Sequence, residues 1–65
     1  MEQYLTLKDG REVLREDYIN AKLGDLREFG YKSLMFQDIS EQIDKLFTGE
    51  KLSVIGSFIK DDLKL

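Results

Sequence analysis

The chain has 65 residues, a formal net charge of −3, and no His, Cys, Trp or Pro. Those absences exclude disulfides, the side chain that titrates near neutrality, and the nitrogen and sulfur ligands that zinc and copper prefer. Any acid–base chemistry would therefore fall to carboxylates.

Apolar residues make up 42% of the chain and charged residues 35%, a globular balance and not a disordered one. A single small domain over 1–65 is expected. A chain this short buries only about 60% of the surface that its unfolded form exposes. It therefore relies on dense packing or on association. Charges are interleaved: residues 1–30 hold five basic and seven acidic side chains, and residues 31–65 hold five and six. No basic surplus offers a platform for phosphate backbones or anionic lipid. The longest apolar run, Leu34-Met35-Phe36, is too short to span a bilayer or serve as a signal sequence. A cytoplasmic protein without a membrane segment is the expectation.

The first predicted element is a β-hairpin. Tyr4-Leu5-Thr6-Leu7 and Glu12-Val13-Leu14 flank Asp9-Gly10, a dipeptide that takes positive φ at little cost and favours hairpin turns. A two-residue turn would oppose Thr6 to Val13. A three-residue turn with a bulge at Gly10 would oppose Leu5 to Val13, and the sequence leaves both registers open. An isolated hairpin is barely stable in water, so its apolar face needs a cover.

Helices are predicted to supply that cover. Ile19, Leu23, Leu26 and Phe29 recur at helical spacing after Asp17, a candidate N-cap. Gly30 reads as the left-handed residue that ends the helix, with Tyr31 folding back on Leu26 as in a Schellman motif. A second stripe, Phe36, Ile39, Ile43 and Leu46 with Phe47 beside it, predicts another helix. Ser33 or Asp38 would cap it, and Thr48-Gly49 would end it. The last segment reads first as a helix capped by Ser53, with Leu52, Ile55, Ile59 and Leu63 on one face. Its rival is a strand over residues 53–59, which are rich in β-branched residues and contain Gly56, a helix-weakening residue by about 1 kcal/mol relative to Ala. Such a strand could pair with the hairpin. The fold class that results is α+β: an N-terminal β-hairpin followed by two or three short amphipathic helices.

Carboxylate clusters are weak candidates for chemistry. Glu16-Asp17 and Asp61-Asp62 are adjacent in sequence, so on a helix their side chains diverge and do not present two carboxyls to one substrate. Asp38, Ser40, Glu41 and Asp44 lack the ligand spacing and central Gly of a calcium loop. No catalytic residue, metal or cofactor is expected. Thirteen acids suggest a nucleic-acid mimic, but ten bases lie among them, and a mimic needs a field of one sign.

The apolar surplus is more informative. Met35-Phe36, Leu46-Phe47, Val54-Ile55 and Phe58-Ile59 are adjacent apolar pairs, and neighbours on a helix point about 100° apart. Both members of a pair cannot face a narrow core seam. Broad coverage by neighbouring elements is one explanation. The other is an interface that includes Met35, Phe47 and Phe58, in which case a homodimer is the expected form.

The function expected on these grounds is a small, acidic, non-catalytic protein-interaction module that binds itself or another protein. The alternative is a small helix-turn-helix-like nucleic-acid binder over residues 43–60. There Lys51, Ser53, Ser57 and Lys60 would face DNA, and Asp61-Asp62 would oppose it. Nucleic acid is not the expected partner, because the basic footprint is missing.

Overall fold

The computed structural model describes residues 2–64. Two antiparallel strands, β1 (Tyr4–Thr6) and β2 (Glu12–Leu14), precede three helices: α1 (Arg15–Phe29), α2 (Phe36–Thr48) and α3 (Val54–Asp62). The α+β architecture follows, with the last segment helical and not a strand.

The hairpin adopts the bulged register, with Leu5 opposite Val13. Gly10 N–H donates to the Leu7 carbonyl at 2.9 Å, and Leu7 N–H donates to the Arg11 carbonyl at 2.8 Å. Gly10 has φ +92°, the positive value that the αL residue of a three-residue hairpin loop requires. Asp9 fixes the far side of the turn. Its carboxylate accepts from Arg11 N–H at 3.0 Å and from Arg11 Nε–H at 2.7 Å. The bond from the Arg11 backbone holds the Asp9 carboxyl below the usual aspartate range.

The free edge of β1 and the residues after it pair with the end of α3 and the residues that follow it. Lys8 N–H donates to the Asp62 carbonyl at 3.0 Å and Lys64 N–H to the Thr6 carbonyl at 2.9 Å, while Leu7 and Leu63 form an antiparallel bridge. Pairing of the C-terminal part with the hairpin therefore occurs at residues 62–64, one element later than the strand reading of 53–59 would have it. Both ends of the described chain are thereby tied together.

α1 starts without a loop. Arg15 is its first residue, and Arg15 N–H still donates to the Gln3 carbonyl at 2.8 Å, extending the hairpin's bonding into the helix. Asp17 is consequently the third helical residue and not the N-cap; Leu14 occupies that position with no side-chain bond. Glu16 and Asp17 act instead through their charge beside the positive pole of the first turn. The α2 start is also displaced from expectation. Met35 is the N-cap, and Asp38, three residues on, accepts from Met35 N–H at 2.9 Å. Asp38 thus caps from inside the helix, and Ser33 lies before it. Ser53 caps α3 as expected, its hydroxyl accepting from Gly56 N–H at 3.4 Å.

The core joins all three helices to the hairpin. Ile19 of α1, Ile39 and Ile43 of α2 and Ile59 of α3 are fully buried, and Leu5, Tyr18, Leu23, Leu26 and Leu63 surround them. Two polar links tie this core together. Arg15 Nη2 donates to the Ser40 carbonyl at 3.0 Å, to Ser40 Oγ at 2.8 Å and to Asp44 Oδ1 at 3.0 Å, joining the start of α1 to α2. Tyr18 OH donates to Asp62 Oδ2 at 2.7 Å, and Lys22 Nζ lies 2.7 Å from the same oxygen. Lys22 thereby neutralises a carboxylate at the negative end of α3, where the helix dipole opposes it, and Tyr18 holds it by a hydrogen bond.

Candidate interaction surface

α1 ends as its sequence predicts, and that ending builds the surface. Gly30 takes φ 140°, and its N–H donates to the Leu26 and Arg27 carbonyls. Tyr31 N–H donates to the Leu26 carbonyl at 2.9 Å, the bond pattern of a Schellman motif. The reversal turns the Tyr31 ring back against Phe29, with centroids 6.2 Å apart and planes at 18°. Phe58 of α3 completes a trio. Its ring meets Phe29 edge-on at 6.2 Å and Tyr31 edge-on at 6.4 Å, within the range of favourable aromatic pairs.

Phe29 belongs to the predicted core stripe of α1, yet it is 74% exposed. It is the last residue of the helix, and its ring meets those of Tyr31 and Phe58. Beside it runs a groove of about 250 Å³ lined by Lys22, Asp25, Leu26, Phe29 and Phe58. Val54, one helical turn before Phe58, is also exposed. The floor is apolar, and its rim carries one cation and one anion.

Met35 and Phe47, singled out with Phe58 from sequence, are well exposed. They do not share a patch. Met35 caps the start of α2 and Phe47 lies near its end, which separates them by about 18 Å along the axis at 1.5 Å per residue. Phe58 is half-buried in the aromatic trio. The residues that join it, Phe29 and Tyr31, were assigned by pattern to the core and to the helix stop. The sequence signal that could have found them is the Phe-Gly-Tyr run itself, since a chain reversal at Gly30 brings the flanking aromatics to one side.

A second depression of about 420 Å³ lies at the open end of the hairpin, lined among others by Gln3, Leu14, Arg15, Ile19 and Phe36. Its guanidinium is already engaged with Ser40 and Asp44, and Glu2 and Glu16 stand on its rim. The outward residues of α3 are Val54, Ser57, Lys60 and Asp61, while Ser53 is committed to its cap. Among the described residues, no three of His, Cys, Asp and Glu gather to hold a metal ion. Nor is any described helix long and apolar enough to cross a membrane. Compared with protein-family models, curated proteins and solved structures, the chain matches none.

Proposed function

We propose that this chain is a small, non-catalytic protein-interaction module of the cytoplasm that associates with itself. The observation that supports the reading is Phe29, a large ring 74% exposed at the edge of an apolar groove. Exposed apolar residues scattered singly are ordinary, whereas a contiguous aromatic patch rimmed by polar groups marks a contact surface. Aromatic residues are also the commonest anchors of binding energy at interfaces. A nucleic-acid role has less support, because the outward side of α3 offers Lys60 with Asp61 beside it and phosphate contacts need a basic face.

Light scattering coupled to size exclusion tests the proposal. The expected result is a mass that rises with concentration above the 7.6 kDa of the chain. A mass that stays at 7.6 kDa throughout a concentration series into the millimolar range would overturn it.

A further inference from the structure

We infer that the hairpin turn is a latent modification site, in which Asp9 converts to isoaspartate when the turn opens and is held unreactive while its bonds to Leu7 and Arg11 keep it closed. This does not depend on self-association. The chemistry is intramolecular. The Gly10 nitrogen attacks Asp9 Cγ, the carboxyl hydroxyl leaves with the amide proton as water, and a five-membered succinimide ring forms. Water then reopens the ring at either carbonyl. One opening restores aspartate, and the other sends the main chain through Cγ, so the composition is unchanged and water is the only co-reactant. Glycine after the aspartate favours closure, because without a Cβ its backbone reaches conformations that other residues are denied. The chain has no other Asp-Gly pair and no Asn-Gly pair.

The closed turn engages both reacting groups. Gly10 N–H donates to the Leu7 carbonyl at 2.9 Å, a bond that the nitrogen must give up before it can attack. The Asp9 carboxylate accepts from Arg11 N–H at 3.0 Å through Oδ1 and from Arg11 Nε–H at 2.7 Å through Oδ2. Both bonds favour the ionised carboxyl, which is a poor electrophile because it has no hydroxyl to release. Flanking bonds pin the base of the turn from both sides: Leu7 N–H to the Arg11 carbonyl, and Lys8 N–H to the Asp62 carbonyl. Beyond the latter, Leu63 is buried and bridges to Leu7. Access is not the barrier, since Asp9, Gly10 and Arg11 are all exposed. Isoaspartate would not fit the closed turn. It adds one carbon to the main chain and removes the carboxylate that Arg11 grips, and hairpin register depends on loop length.

Ageing of the full chain at physiological temperature and pH, folded or unfolded in guanidinium chloride, tests the site. A glutamyl endoprotease cutting after Glu2 and Glu12 releases residues 3–12, and chromatography separates the aspartyl and isoaspartyl forms of equal mass. The folded chain should accumulate isoaspartate at least about tenfold more slowly than the unfolded one, because reaction waits on local opening. Arg11→Gln keeps the backbone donor and removes the guanidinium, on a side chain that touches nothing in the core. With helical circular dichroism retained, it should raise the folded rate several-fold and leave the unfolded rate unchanged. Equal rates in the folded and unfolded wild type would overturn the shielding by the turn. A folded Arg11→Gln chain that ages at the wild-type rate would overturn the role of Arg11. An unfolded chain that forms no isoaspartate at Asp9 would overturn the site itself.

Discussion

Gly56 of α3 is buried against Gln42 of α2 and Leu52 of the preceding turn. A Cβ there would lie 2.5 Å from Gln42 Oε1 and 2.9 Å from Leu52 Cβ. Gln42 cannot swing aside freely, because the same Oε1 accepts from Ser53 N–H at 3.1 Å and so steadies the turn into α3. Gly24 of α1 presents the opposite case: it is exposed, helical, and has nothing within 4 Å of an added Cβ. Glycine in a helix interior costs about 1 kcal/mol relative to Ala, so propensity alone would reward Ala at both positions. The structure separates them. Gly24→Ala should raise the stability read from urea melts by about 0.5–1 kcal/mol, and Gly56→Ala should lower it by about 1–3 kcal/mol, the usual cost of forcing extra atoms into a packed contact. Equal gains from both would mean that α2 and α3 are not in close contact. In the sequence Gly56 reads only as a helix-weakening residue, because steric demand comes from Gln42 and Leu52, a helix and a turn away. Gly10 and Gly30 are legible for the opposite reason: turn conformation depends on immediate neighbours, and both show the positive φ that their settings predict.

At the level of elements, α3 is held at its far end by a buried tyrosine. Tyr18 donates to Asp62 Oδ2, and burial together with the bond to the Asp62 carboxylate raises its phenol well above the usual value of 10.0. A folded pKa above the unfolded one contributes stability that is fully present below pH 10.0 and is lost as pH rises beyond it. The chain should therefore unfold more readily in alkali. Tyr18 should ionise only as the fold opens, giving phenolate absorbance that rises together with the loss of helical circular dichroism. Tyr18→Phe should remove that coupling and cost about 1 kcal/mol at neutral pH, the net worth of one hydrogen bond. Ionisation of all tyrosines ahead of any loss of helix would contradict the link. Element type was largely legible: each helix has its apolar stripe, and Ser53 caps α3. Element ends were less so. Asp17 resembles an N-cap by type, but β2 runs straight into α1 and the cap falls three residues earlier, at Leu14. The strand-like run over residues 53–59 is a helix, as the first reading had it: Ile55 and Ile59 turn to the core while Val54 faces out, and Ser53 caps the start. The partner that the hairpin needed is real, and residues 62–64 supply it.

For the whole molecule, sequence and structure agree that this chain has more apolar surface than one small core absorbs. They differ on where the surplus gathers. Adjacent pairs direct attention to Met35, Phe47 and Phe58, whereas the fold brings Phe58 to Phe29 and Tyr31 and leaves Met35 and Phe47 far apart along α2. Sequence periodicity reports which side of a helix is apolar, but not how far along its length the neighbouring helices cover it, and Phe29 lies beyond that coverage. On the self-associating reading, two copies meet at this aromatic patch. Isotope-filtered NMR on an equimolar mixture of labelled and unlabelled protein tests it most directly, since only contacts between copies are recorded. Cross-peaks from the Phe29 ring of one copy to the Phe29, Tyr31 and Phe58 rings of the other are expected. Intermolecular cross-peaks confined to Met35 and Phe47, or none at concentrations approaching the millimolar range, would contradict it.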